Sequence, residues 1–146
     1  MTPDSGSEQI LLVDDNPTNL QVLFKTLEGS GYRLLAARDG EAALYTAKRA
    51  RPALILLDVM MPGMDGFEVC ERLKADPETA DIAVIFLSAL TDSQSKVHGL
   101  AIGGVDYIAK PFQTDEVLAR VRTHIKIQRL ERALARRNTE LEDENQ

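Results

Sequence analysis

Five short apolar runs recur along the chain, at 10–13, 32–37, 53–57, 82–87 and 105–108, each rich in Ile, Leu or Val. Runs of this length are too short for buried helices and have the length of strands. Most are continuous rather than alternating, which is the pattern of a strand covered on both faces. Helical segments lie between successive runs, so the strands are parallel and the class is α/β. A chain of 146 residues holds one such domain and little more.

The first helix has clear signals. Asn16 is the cap, Pro17 takes the first helical position, Leu20, Leu23, Phe24 and Leu27 share a face, and Gly29 ends it. A second helix over 39–49 carries Ala42, Ala43, Leu44 and Ala47, and a third opens at Asp65 and stops before Pro77. The fourth, 92–101, contains Gly99 and has only Val97, Leu100 and Ala101 as its apolar stripe, so it is expected to be the least stable. The fifth opens at Thr114, with Asp115 and Glu116 favouring the positive end of the helix dipole.

No breaker follows Thr114, although a closing helix needs only a few turns. The pattern from Ile127 onward is therefore surplus, and 127–146 is expected to be a helical extension. Ile127, Leu130, Leu134 and Leu141, at spacings of 3, 4 and 7, form a heptad seam, with Arg137 and Glu144 at two of its core positions. A short coiled coil pairing two copies is one reading, and a solvated helix end is the other. Residues 1–7, rich in Thr, Pro, Asp, Ser and Gly, read as a flexible tail, which leaves 8–126 as the domain.

Composition removes several classes of function. No window is apolar enough to span a membrane, and the N-terminus lacks the order of a signal peptide. A single Cys70 closes no intrachain disulfide and has no zinc-type cluster, so a reducing, cytoplasmic setting is expected. With 23 acidic and 17 basic residues the net charge is -6, which argues against direct nucleic-acid binding. So do the acidic end at 140–144 and the absence of a helix-turn-helix pattern.

Ligands of open α/β sheets bind beyond the carboxyl ends of the strands. The first run ends in Asp14 and Asp15, the third in Asp58 and the fourth in Ser88, while the fifth leads through Tyr107 to Lys110 and Pro111. Three carboxylates gathered at one edge repel each other unless a cation lies among them. Hard oxygen donors without His or Cys select magnesium. A carboxylate beside magnesium, an ammonium group and a hydroxyl is placed to attack phosphorus, so phosphoryl transfer is the expected chemistry. Gly63 and Gly66, with Pro62, read as turn residues, because no phosphate-cradling glycine motif is present. His98 and His124, on helices away from this edge, read as packed or solvated.

Residues 8–126 resemble the receiver domain of two-component response regulators. The likeness is carried by Val13-Asp14-Asp15-Asn16, by the stretch from Leu57-Asp58 through Pro62-Gly63 to Asp65-Gly66, by Leu87-Ser88-Ala89 and by Asp106-Tyr107-Ile108-Ala109-Lys110-Pro111. The resemblance implies a flavodoxin-like (βα)5 doubly wound sheet of strand order 2-1-3-4-5. It implies that Asp58 accepts a phosphoryl group from a histidine kinase or histidine phosphotransferase. Asp14, Asp15, Asp58 and the backbone carbonyl of Met60 would hold Mg2+, with Mn2+ as a substitute. Lys110 and Ser88 would bind the phosphate, and Ser88 and Tyr107 would move together as the switch. The resemblance also implies a cis bond between Lys110 and Pro111. Receivers vary two residues after the acceptor and two after the hydroxyl; here these are Met60 and Leu90, neither able to orient water, so slow to moderate phosphate loss is expected.

Such a domain would be a regulatory phosphoacceptor rather than an enzyme with turnover. A magnesium-dependent phosphatase of the haloacid-dehalogenase type is the competing reading, but Asp58-Val59-Met60 lacks that family's second aspartate. For output, the uncapped charged helix favours a piece of a longer protein, with an output domain beyond a homodimeric coiled coil. A stand-alone receiver acting on a partner protein and a phosphate relay are the alternatives.

Overall fold

The computed structural model describes residues 8–90 and 92–144, with side chains described as far as residue 138; the expected tail at 1–7 lies outside the described residues. Strands β1 (Gln9–Val13), β2 (Arg33–Ala37), β3 (Leu54–Asp58), β4 (Ala83–Ser88) and β5 (Asp106–Ala109) alternate with helices α1 (Pro17–Leu27), α2 (Gly40–Ala50), α3 (Gly66–Ala75), α4 (Ser93–Ala101) and α5 (Thr114–Glu144). All pairings are parallel, and the order is β2-β1-β3-β4-β5. This is the doubly wound sheet the sequence predicts, with α5 running far past the sheet.

Strands β1, β3 and β4 are buried on both faces because their alternate side chains meet different helices, while β2 at the sheet edge is half-exposed. Leu11, Val13, Ile55, Leu57, Val84 and Phe86 pack with Ala43 and Ala47 of α2 and Val69, Cys70 and Leu73 of α3. Ile10, Leu12, Leu54, Leu56, Ile85 and Leu87 pack with Leu20, Leu23 and Leu27 of α1 and Val117, Val121 and Ile125 of α5. Deleting one of these leucine, isoleucine or phenylalanine side chains to Ala removes about 2–5 kcal/mol.

Helix caps fix where the polar loops emerge. The Asn16 side chain accepts from the N–H groups of Thr18 and Asn19, and Asp39, Asp65 and Asp92 cap α2, α3 and α4 in the same manner. Helix α4 buries only Gly99, while Val97 and Leu100 stay exposed. Its hold on the body is a close approach of backbone to aromatic ring, since a Cβ at Gly99 would crowd Phe86. The thin apolar stripe thus has the predicted consequence of a lightly anchored helix.

Candidate functional site

β1 and β3 are adjacent and in register, so Asp14, just past the end of β1, and Asp58, at the end of β3, come side by side. Asp15 follows Asp14 and is only partly covered. Carboxylate oxygens of Asp14, Asp15 and Asp58 lie within 4.8 Å of one another. Ser88 ends β4, the neighbour of β3, and Lys110 follows β5, so the order of the sheet brings all five side chains to one edge.

Lys110 is the cation that holds this edge together. Its ammonium donates to Asp14 Oδ2 at 3.1 Å and to Asp58 Oδ1 at 3.0 Å. Asp14 also receives the N–H of Asn16 at 2.9 Å, which fixes its carboxylate. Burial pushes the Asp58 carboxyl up to about 6, helped by the charge of Asp14 and resisted by the hydrogen bond from Lys110. For Lys110, burial works to lower the pKa, but the hydrogen bonds and charges of Asp58 and Asp14 prevail and raise it. The ammonium therefore stays charged, and the two buried carboxylates share one counter-charge.

The loop after β3 is shaped by two glycines. Gly63 has φ +76°, a left-handed conformation that side chains disfavour. A Cβ on Gly66 would collide with the Asp58 carbonyl, and the Gly66 N–H donates to the Val59 carbonyl at 2.9 Å. The turn can fold back beneath Asp58 only because position 66 is bare. Met60 sits on this loop, 56% exposed, and its backbone N–H bonds to Asp58.

On the other side, Ser88 is fully buried, and its hydroxyl accepts the N–H of Leu90 at 3.0 Å. The Tyr107 hydroxyl donates to the carbonyl of the same Leu90 at 2.9 Å. Both polar ends of Leu90 are thereby held, one by Ser88 and one by Tyr107. Tyr107 itself packs inward, its ring tilted against Phe86 at 6.0 Å. The Lys110–Pro111 peptide bond is cis.

Other groups were less visible in the sequence. Asp106 accepts two hydrogen bonds from Arg120 at 2.8 Å and lies 3.0 Å from His124 Nε2, so His124 is a partner of β5 rather than a bystander. His98 meets the Phe67 ring edge-on at 4.8 Å. Gln128 is buried although the pattern of Val117, Val121 and Ile125 calls for an apolar residue there. That mismatch was the available signal for a buried amide with partners. Of the seam, Ile127, Leu130 and Leu134 are 43%, 61% and 61% exposed, while Leu141 falls among residues whose side chains are not described.

An open, doubly wound parallel sheet of order 2-1-3-4-5 with its polar cluster at the carboxyl edge is the CheY-like class of α/β domain. The response regulator receiver domain model matches residues 10–122, and the chain belongs to that family. It is 43% identical over 118 residues to the DNA-binding dual master transcriptional regulator RpaA of Synechocystis sp., covering 81% of this chain and 49% of RpaA. It is 44% identical over 117 residues to the response regulator PleD of Caulobacter vibrioides, covering 80% of this chain and 26% of PleD. The chain thus spans about half or less of the length of these curated relatives. Among solved structures, the receiver domain of the sensor histidine kinase PA1611 of Pseudomonas aeruginosa, with magnesium coordinated in its active-site cleft, superposes with a TM-score of 0.75. It is 32% identical and covers 82% of this chain and 98% of that one. The chemotaxis protein CheY4 of Vibrio cholerae gives a TM-score of 0.76 at 31% identity, covering 80% and 98%.

No helix among the described residues is long and apolar enough to cross a membrane. The acidic trio fits a hard divalent cation, because its donors are carboxylate oxygens with no His or Cys among them.

Proposed function

We propose that this chain is a phosphorylation-dependent switch in which Asp58 takes a phosphoryl group from the phosphohistidine of a histidine kinase or phosphotransferase. The observation that carries this reading is the buried Asp58 carboxylate held by Lys110 beside Asp14 and one strand from Ser88. A carboxylate oxygen of Asp58 forms the new bond to phosphorus, and the imidazole nitrogen of the donor leaves with the electron pair. The Lys110 ammonium opposes the charge on the transferring phosphoryl oxygens, and the Ser88 hydroxyl turns from Leu90 to donate to one of them. Asp14, Asp15, Asp58 and the Met60 carbonyl would hold Mg2+, or Mn2+ in its place. When bound, the ion supplies positive charge against the phosphoryl oxygens.

The rearrangement then passes to β5. Once Ser88 is drawn to the phosphate, the loop at Leu90 is released from one side, and the Tyr107 hydroxyl that holds its other side moves with it. The face formed by α4, β5 and α5 is the output surface, and the light anchoring of α4 suits it to change. The chain works in the cytoplasm, turns over no other substrate, and acts through an output domain joined to the extension of α5. Residues 127–146 act as a coiled-coil linker whose seam pairs two copies. Light scattering on the chain and on Leu134→Glu tests the pairing: a concentrated dimer that the variant abolishes is expected, and equal monomer masses overturn it.

The phosphoacceptor role is tested by intact mass after incubation with magnesium and acetyl phosphate. The chain gains one phosphoryl group only with magnesium present, and Asp58→Asn gains none. A wild type that stays unmodified under these conditions, or an Asp58→Asn variant that is modified, overturns the reading.

A further inference from the structure

Gln128 lies past the last apolar core residue of α5, Ile125, at the point where the helix leaves the sheet. It is 8% exposed, and its side-chain amide donates both hydrogens to the body. One goes to the carbonyl of Ala53 at 2.8 Å and the other to that of Asp81 at 3.0 Å. Ala53 immediately precedes β3, and Asp81 lies in the turn that leads into β4. These are the two strands whose far ends carry Asp58 and Ser88.

The surroundings make this a built junction. Lys74 donates to the carbonyls of Ala80 and Ile82, at 2.9 and 2.5 Å, so with Gln128 every carbonyl from 80 to 82 is held by a side chain. Arg129 adds an ion pair with Glu8, just ahead of β1, at 3.1 Å. At about 100° per residue, Ile127, Leu130 and Leu134 stand between about 100° and 160° around the helix from Gln128. Holding Gln128 inward therefore turns the apolar seam outward.

We infer that Gln128 is a positioning residue that couples the extension of α5 to the two site-bearing strands. Its paired hydrogen bonds fix the rotation at which α5 leaves the domain, and they pass any shift of β3 against β4 to the helix beyond residue 128. An apolar residue of similar size fills the same space but cannot respond to the two carbonyls. The inference rests on the phosphoacceptor reading of Asp58, since that site supplies the shift.

Hydrogen exchange along α5, with and without acetyl phosphate and magnesium, tests the coupling on the full chain and on Gln128→Met. In the wild type, amides 129–136 change their protection on phosphorylation. In Gln128→Met they exchange about thirtyfold faster, the worth of two neutral hydrogen bonds, and no longer respond to phosphorylation, while phosphoryl uptake by intact mass is unchanged. Gln128→Leu, which also lacks the donors and carries no charge, gives the same result, so a folding defect in one variant does not decide the matter. If either variant takes up phosphate and keeps the wild-type response at 129–136, the coupling role is overturned and the reading of Asp58 stands. If the wild type takes up no phosphate, both fall together.

Discussion

Burial makes the charged form of Asp58 costly, and a single substitution removes that cost. Asp58 rises from the ordinary carboxylate value of 3.8 to about 6 because burial and Asp14 outweigh Lys110. A native carboxyl that holds its proton to a higher pH than the unfolded one makes the folded state lose stability as pH climbs between those values. The loss is absent below about pH 4, grows to about pH 6 and is constant above it. At about 1.4 kcal/mol per pH unit, the gap corresponds to about 3 kcal/mol at pH 7.5. Asn copies the protonated carboxyl, so Asp58→Asn is expected to be more stable than the wild type by about that amount in chelator. Urea unfolding of both proteins from pH 4 to pH 8 measures it. The difference should close toward pH 4, and magnesium should shrink it at pH 7.5 by stabilising the wild type more than a variant lacking one carboxylate ligand, the wild type gaining about 2.7 kcal/mol at a hundredfold its dissociation constant. A variant no more stable than the wild type at pH 7.5, or an advantage that persists unchanged at pH 4, refutes the electrostatic account of the site.

Removing the shared counter-charge acts in the opposite direction: in Lys110→Met the Asp58 carboxyl should titrate above about 6, read by carboxyl carbon resonances, and an unchanged titration contradicts the assignment. Tyr107→Phe deletes the bond to the Leu90 carbonyl and should cost about 1 kcal/mol in urea unfolding. A cost near zero would mean the hydroxyl holds nothing. Met60 and Leu90 place no water-orienting group at the acceptor, so the phosphorylated chain should lose phosphate slowly, and Met60→Glu should hasten the loss. Phosphate lost within seconds without a partner contradicts this.

Most of the fold was legible because the central strands state their own environment. Runs such as 54–57 and 83–87 are apolar at every position, which only a strand covered on both faces requires, and Asn16-Pro17 and Asp65 mark helix starts by the same groups that cap them in the structure. The cluster at the carboxyl edge was legible because parallel strands must end together, so the residues following each run share an edge. What stayed hidden depends on partners distant in sequence. Nothing local says that the Asp106 carboxylate faces Arg120 and His124 across a helix turn, or that Gln128 reaches carbonyls at 53 and 81. Ile127, Leu130 and Leu134 form an exposed apolar row, but the row alone does not tell that the Gln128 amide lies on the opposite face of the helix.

The central claim is that one carboxylate, Asp58, becomes the acyl phosphate. Borohydride reduces an aspartyl phosphate to homoserine, which marks the site permanently. After phosphorylation with acetyl phosphate and magnesium, reduction and peptide mapping should find homoserine at position 58 and nowhere else. Homoserine at Asp14 or Asp15, or none at any position in a chain that has gained phosphate, would contradict the account.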